Sequence, residues 1–362
     1  MHAPAPLTRR RFLAAAGLGL VAPGCLGGGA ATTPGRPEAR PAPLRGPIVA
    51  AAPPGSVAPQ DAAEFTAARD AKVDLVTHPG GPALARLVAA VRADVVLARQ
   101  DDVAALVAEN LLLPLEHGLL PNLAHVAGEF LDLDYDPGNR YSAPARHGAF
   151  GFAYRADTVT EAPATWADFY ALLPRYSHAG ILFLPGPIEP VAAALAAIGA
   201  DINSDDPDDL AQARALLLNA RPHINGFSPN PAAAFTPEAL VLAMGSASAF
   251  TSEAPTAQFV LPSGGLESWI DGWVVPATSR HPVTAQAFID HQLSPHVQAR
   301  DWQLSDAPAT VAAAADLVPP DLRAAAVTRF ATGVGHGATF SLVSPVGLAQ
   351  RAQIWAEIGP QT

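Results

Sequence analysis

Two α/β lobes, each a sheet flanked by helices, are the fold this sequence predicts. The chain has 362 residues, and domains of roughly 100–200 residues make that about two. From residue 47 onward, short apolar runs alternate with longer stretches of helical period, the pattern of a parallel α/β sheet. Nearly half the residues are apolar, enough for sizeable cores, and nothing in the body's composition points to disorder.

The elements follow in order. PIVAAA (47–52) reads as a strand, AAEFTAARDA (62–71) as a helix, VDLVTH (73–78) as a strand and ALARLVAAVRA (83–93) as a helix. DVVLA (94–98) is the next strand and DVAALVAEN (102–110) the next helix. A second set comprises helix TWADFYALL (165–173), strand GILFL (180–184), helix EPVAAALAAIG (189–199) and helix PDDLAQARALLLN (207–219). Asp206 or Ser204 can cap that last helix, with Pro207 as its first residue. TAQFVL (256–261) and WIDGWVVP (269–276) read as strands and PVTAQAFIDHQL (282–293) as a helix. No internal repeat is visible. In such sheets ligands bind beyond the carboxyl ends of the strands, and in two-lobed proteins between the lobes.

The N-terminus has a different character. Arg9-Arg10-Arg11-Phe12-Leu13 precedes the apolar AAAGLGLVAPG, which ends at Cys25. A charged segment followed by a short apolar one is an export signal, too short to span a bilayer. The arginines resemble a twin-arginine signal, and Ala22-Pro23-Gly24-Cys25 resembles a bacterial lipobox. Lipidation of Cys25 would tie the body to a membrane. The open alternative is a stray cysteine within the signal. It is the chain's only cysteine, so no intramolecular disulfide is possible. Residues 26–46 are rich in Gly and then Pro, the composition of a tether. Beyond Cys25, 19 Lys and Arg face 33 Asp and Glu, a balance of −14. That acidity argues against nucleic acid as a partner.

Enzyme signatures are missing from the sequence. There is no G-x-S-x-G elbow, Walker loop or His-Glu-x-x-His, so no catalytic residue, metal or cofactor is expected. His291 and His296 read as solvated surface histidines, and GVGHG (333–337) as a flexible loop. Asp132, Asp134 and Asp136 alternate as metal carboxylates do, but lack the Gly and closing Glu of a calcium loop; a turn is the expectation.

SWIDGWVVP (268–276) sets an acid between two indoles. On a strand Trp269, Asp271 and Trp273 share one face, and an unpaired carboxylate there is costly. Either Asp271 pairs with an arginine across a hinge, or it waits beside an aromatic wall for a cation. Trp269 has the alternative of filling the core between lobes, Trp273 reads as core, and Glu189 has the alternative of a helix-start carboxylate favoured by the macrodipole.

YDPGNRYSAP (135–144), preceded by ADVVLARQDDVAALVAENLLLPLEHGLLPNL (93–123), resembles the periplasmic polyamine-binding proteins of ABC importers. The likeness continues through GFAY (151–154), TWADFY (165–170), INSDDPDDLAQARALLLN (202–219) and WIDGWVVP, covering about residues 47 to 303. It implies the type II periplasmic-binding fold, with two α/β lobes, a hinge and an interlobe cleft. Lobe one would comprise 47–148 and 271–316, lobe two 149–270 and 317–362. It implies no enzymatic activity, capture of a small, amine-bearing solute for an ABC permease, and a monomer at the outer face of a bacterial membrane. The alternative is a degenerate relative acting as an envelope sensor or interaction lipoprotein.

In the family, Trp and Tyr rings hold the solute's methylene chain and carboxylates its ammonium ends, by cation–π attraction and charge-assisted hydrogen bonds. Trp269, Asp271 and Glu189 match cage positions. The acid three residues before the family's Glu falls on Gly186 here. First-lobe aromatics fall near Pro54 and Val57; a Ser and a Tyr fall on Ala98 and Gln100. Cage tryptophans fall on Ser246 and His147, and a late Tyr near Ser305. The resemblance thus implies Trp269, Asp271, Glu189, Gln100, His147 and Ser246 as solute contacts. Arg99 and Asp101 are further polar groups within reach, Arg99 suiting a carboxylate or phosphate. Asp271→Asn is expected to cost binding more than Glu189→Gln.

Overall fold

The computed structural model describes residues 44–78, 84, 88, 93–234, 240–252, 257–263, 266–330, 338–340 and 343–360. The export signal, Cys25, the tether as far as Pro43 and the GVGHG loop lie outside the described residues, as does most of the helix expected over 83–93.

Strands β1 (Ile48–Ala52), β2 (Val73–Thr77) and β3 (Val95–Arg99) are parallel neighbours, β1 in the middle. β1 and β3 are short apolar runs that burial on both faces favours, whereas β2, at the edge, is half exposed. After the two-residue β4 (Leu112–Leu113) comes β5 (Ser142–Tyr154), 13 residues long. Beyond it lie β6 (Ile181–Phe183), β7 (Gly226–Phe227), β8 (Leu242–Ser246) and β9 (Gln258–Val260). The last strands are β10 (Leu266–Pro276) and β11 (Ala338–Phe340). Spatially the order is β2–β1–β3–β10–β5–β8–β6–β7, with β4 and β11 on β10 and β9 on β5.

Two strands hold the halves together. β10 runs antiparallel between β3 and β5. β5 pairs with β10 through Ser142–Ala149, then with β8 through Phe150–Tyr154. A single strand therefore belongs to both halves of the molecule. Its register against β10 shifts between Asp271 and Gly272, so Ala145 is an extra, bulged residue. The bulge falls beside Pro144, which has no N–H to give a central strand and is tolerated at such a site.

Ten helices cover these strands among the described residues. In chain order α1 is Pro59–Arg69, α2 Gln100–Ala108, α3 Trp166–Tyr176, α4 Ile188–Ala197 and α5 Pro207–Ala220. Then follow α6 (Ala247–Ser252), α7 (Pro282–Gln292), α8 (Pro295–Ser305), α9 (Pro320–Phe330) and α10 (Pro345–Ile358). Local chemistry sets their starts. Thr165 Oγ1 accepts the N–H of Asp168, whose carboxylate accepts the N–H of Thr165, a full capping box for α3. Asp206, rather than Ser204, caps α5, accepting the N–H of Asp208.

Each half has its own core. Phe152, Trp166, Phe169 and Phe183 pack ring on ring in one, with Val191, Leu195 and Leu217. Phe65, Trp273 and Phe288 anchor the other, with Trp273 edge-on to Phe288 at 5.7 Å between centroids. Two expectations are corrected. Residues 44–46 are part of the body, not tether: Leu44 packs on the second core, and Arg45 gives its N–H to Thr284 Oγ1 and accepts that hydroxyl in return. His291 is half-buried rather than solvated. Its ring lies against Phe65 and Phe288, and burial depresses its pKa. His296 is exposed, as expected.

Candidate functional site

Three strands set three charged residues in a row. In the ladder Asp271 of β10 stands opposite Arg99 of β3 on one side and Arg146 of β5 on the other. Directly opposed side chains in antiparallel pairs share a face, so the carboxylate is flanked by two guanidiniums. Arg146 Nε donates to Asp271 Oδ2 at 2.8 Å, and its terminal nitrogen stands 2.7 Å from the same oxygen. Arg99 Nε lies 3.9 Å from Asp271 Oδ1. Asp271 thus pairs with an arginine across the hinge strands, one of the two outcomes its position allowed.

Two residues back along β10, Trp269 shares that face and stands opposite Gly148. The glycine is required. A Cβ at residue 148 would lie 2.3 Å from Trp269 Cζ2, inside any allowed contact. In that room the indole ring faces both guanidinium groups, the Arg99 carbon at 5.4 Å and the Arg146 carbon at 5.8 Å from the ring centroid. Both are within cation–π range. Phe150, two residues beyond Gly148, lies 5.2 Å from the Arg99 guanidinium.

The second half contributes Glu189, in the first turn of α4. Arg99 reaches it with a hydrogen bond of 3.2 Å to Oε1. Gly186 shapes the approach with φ of +143°, a conformation closed to other residues without strain. The turn itself therefore excludes the acid that the family resemblance places there. Burial raises the Glu189 pKa, and the Arg99 charge opposes this. Asp101 is raised for the same reason, burial against Arg99, and its Oδ1 has no hydrogen-bond partner among the described residues.

Trp269, Asp271 and Glu189 are therefore brought together, with Arg99 among them. The other expected contacts each have partners within the chain. Gln100 is buried, and its Oε1 accepts the Ile270 N–H at 2.9 Å, tying α2 to the hinge strand. His147 is opposite Ile270 on the other face of β5; its ring packs on Phe130 at 4.5 Å, and burial pushes its pKa down to about 4. Ser246 stands opposite Phe150 in the ladder, its hydroxyl 2.9 Å from that of Ser248. Trp273, read as core, is 1% exposed. Sequence reasoning missed Arg146, Gly148 and Phe150, which alternate along β5. Their signal was an i, i+2, i+4 pattern masked by Pro144 and the bulge.

Beside Arg146, a cavity of about 10 Å³, room for a single water, is lined by Ser56, Trp273, Asp301, Trp302 and Ser305. Asp301 accepts the Ala58 N–H at 2.8 Å and is hydrogen-bonded to Asp61, which Arg300 also contacts. Burial and the Asp61 charge push the Asp301 pKa up to about 9.

Two α/β halves share strands β5 and β10, and rings and carboxylates from both halves meet around Arg99. Residues 60–327 match the family model described as bacterial extracellular solute-binding protein, and the chain belongs to that family. It is 33% identical over 190 residues, 51% of the chain, to spermidine/putrescine-binding periplasmic protein 1 of Haemophilus influenzae. It is 29% identical over 218 residues, 55% of the chain, to the putrescine/cadaverine-binding protein of Pseudomonas aeruginosa. The chain spans little more than half the length of these relatives, 52% and 60%. A solved structure of the spermidine/putrescine ABC transporter substrate-binding protein PotD from Streptococcus pneumoniae superposes with a TM-score of 0.74 at 20% identity. That superposition covers 86% of this chain and 98% of the other, and it shows the type II periplasmic-binding fold.

Proposed function

We propose that this chain is the solute-capturing component of an ABC importer, taking a small amine-bearing solute into the cleft between its lobes and presenting it to a membrane permease. The reading rests on one observation. Trp269, Phe150, Glu189 and Asp271 already surround a cation, the Arg99 guanidinium. Groups arranged to hold one cation by ring faces and carboxylates suit another of similar size. The names of the curated relatives, binders of spermidine, putrescine and cadaverine, support the same class of solute. The cage residues stabilise a bound charge, and no bond is made or broken in that role.

Lobe boundaries at 47–148 with 271–316, and 149–270 with 317–362, belong to this reading. The core around Phe65 and Phe288 and the core around Phe152 and Phe169 support them. Closure would be a hinge motion about β5 and β10. We further read Cys25 as the site of a lipid anchor, the arginines at 9–11 as a twin-arginine export signal, and the working form as a monomer outside the cytoplasm; the order of charged segment, apolar segment and cysteine supports the first two.

A thermal-shift and calorimetric titration with putrescine, cadaverine, spermidine and agmatine tests the proposal. Stabilisation by at least one, through linkage, is the expected result, with Glu189→Gln weakening it about tenfold or more, a charge-assisted bond of about 1.5–3 kcal/mol being lost. No response to any amine, in the wild type or in an Arg99→Gln variant that removes the resident cation, sinks the reading.

A further inference from the structure

The cage's occupant is part of the chain, and the two arginines hold their places differently. Arg146 sets two nitrogens within 2.8 Å of one Asp271 oxygen, and its side chain is 15% exposed. Arg99 makes a 3.2 Å bond to Glu189 and a 3.9 Å approach to Asp271, and is 33% exposed. Its carboxylate contacts are the longer, and although the Phe150 and Trp269 rings also hold it, it is the more accessible to water. It also sits at the C-terminal end of β3, immediately before α2, on the first half of the molecule, while Glu189 opens α4 on the second. Its guanidinium thus bridges the halves in the way a bound solute would.

We infer that Arg99 is a built-in competitor for the cage, a tethered cation that occupies the Trp269–Phe150–Glu189–Asp271 site until an amine displaces it. The inference rests on the solute-binding reading and adds to it a residue that sets affinity and specificity. When Arg99 swings out, Asp271 keeps Arg146 and stays paired, whereas Glu189 loses its cation contact. A solute ammonium restores that contact. Buried carboxylates need such a partner, so the exchange is of one cation for another. The apparent affinity is reduced by the fraction of molecules in which Arg99 is out of the cage. A diamine, which brings a second charge and a methylene chain, competes better than a monoamine.

The full chain and its Arg99→Ser variant are titrated with putrescine and, separately, with methylguanidine, which reproduces the displaced group. Putrescine should bind the variant roughly ten to a hundred times more tightly than the wild type, as expected if Arg99 is out of the cage in ~1–10% of molecules. Methylguanidine should raise the melting temperature of the variant and leave the wild type unmoved, and adding Glu189→Gln should abolish both gains. Arg99→Gln, close in length but uncharged, is read in parallel against a folding defect in the serine variant, and must also gain affinity. Putrescine affinity equal to or below that of the wild type in both variants overturns the inference while leaving the solute-binding reading intact. Such a loss would make Arg99 a contact of the solute. Rescue by methylguanidine with no response to putrescine in any form upholds the competitor and overturns the amine-solute reading. Silence from both probes in every form overturns the inference.

Discussion

Replacing Asp271 by asparagine keeps the shape of the side chain and removes the charge that two guanidiniums share. The carboxylate is 4% exposed, Arg146 15% and Arg99 33%. Removing one partner of a buried pair costs about 3–5 kcal/mol, because the other charge stays buried. Arg146 sits close to that limit but keeps some contact with water, which places its share near 3 kcal/mol. The longer, more exposed Arg99 contact adds less than about 1 kcal/mol. Asparagine also leaves two like charges on either side of a neutral amide. At ~1.3 °C per kcal/mol, from an unfolding entropy of ~2.1 cal/mol/K per residue over 362 residues, the melting temperature should fall by roughly 4–5 °C. Urea unfolding followed by circular dichroism gives the midpoint, and an unchanged m-value shows that stability alone has moved. The double variant Asp271→Asn/Arg146→Met should recover much of the loss, since it removes the orphaned charge with its partner. A loss below about 1 kcal/mol in the single variant, or no recovery in the double, refutes the claim that this row stabilises the joined strands.

Gly148→Ala should destabilise by about 1–3 kcal/mol and abolish amine binding, because its Cβ would meet the Trp269 ring at 2.3 Å; an unchanged urea midpoint would show that the indole is not held there. Asp301 carries the pH prediction. Its folded pKa of about 9 lies above the unfolded value, so the folded state binds the proton more tightly and stability falls as pH rises from about 4 towards 9. Asp301→Asn mimics the protonated acid and should flatten that decline in urea midpoints measured between pH 5 and 9; a decline as steep as that of the wild type would place its cause elsewhere.

How much of this was legible beforehand differs from element to element. β1, β2, β3, α3, α4, α5 and α7 were readable because their apolar spacing and caps agree locally, as with Thr165 and Asp168 or with Asp206 and Pro207. β5, the strand on which both halves depend, was not. Pro144, Arg146, His147 and Gly148 interrupt its alternation, and Pro in a run ordinarily argues against a central strand. Only the register against β10 explains them, through the bulge at Ala145 and the clearance for Trp269. Trp269, Asp271 and Glu189 were identifiable because types and spacing carried the resemblance. Arg99 is legible as a polar group within reach, but its pairing with Asp271, and Arg146 altogether, are not, because these cross-strand neighbours are 172 and 125 residues from Asp271 along the chain. Gln100 and His147 were drawn in by alignment with the cage, but the fold spends one on a backbone N–H and the other on a phenyl ring.

The row Arg99–Asp271–Arg146 belongs at once to the ladder that joins three strands and to the site that would receive a solute. On the proposed reading, a substitution at Asp271 that changes what the site accepts also changes how firmly β3, β10 and β5 are held. Ligand preference and thermal stability would then be coupled at that position. Lineages drifting towards a new solute should leave a trail of compensating changes in the sheet, and selection for a hotter environment should narrow what the cleft admits.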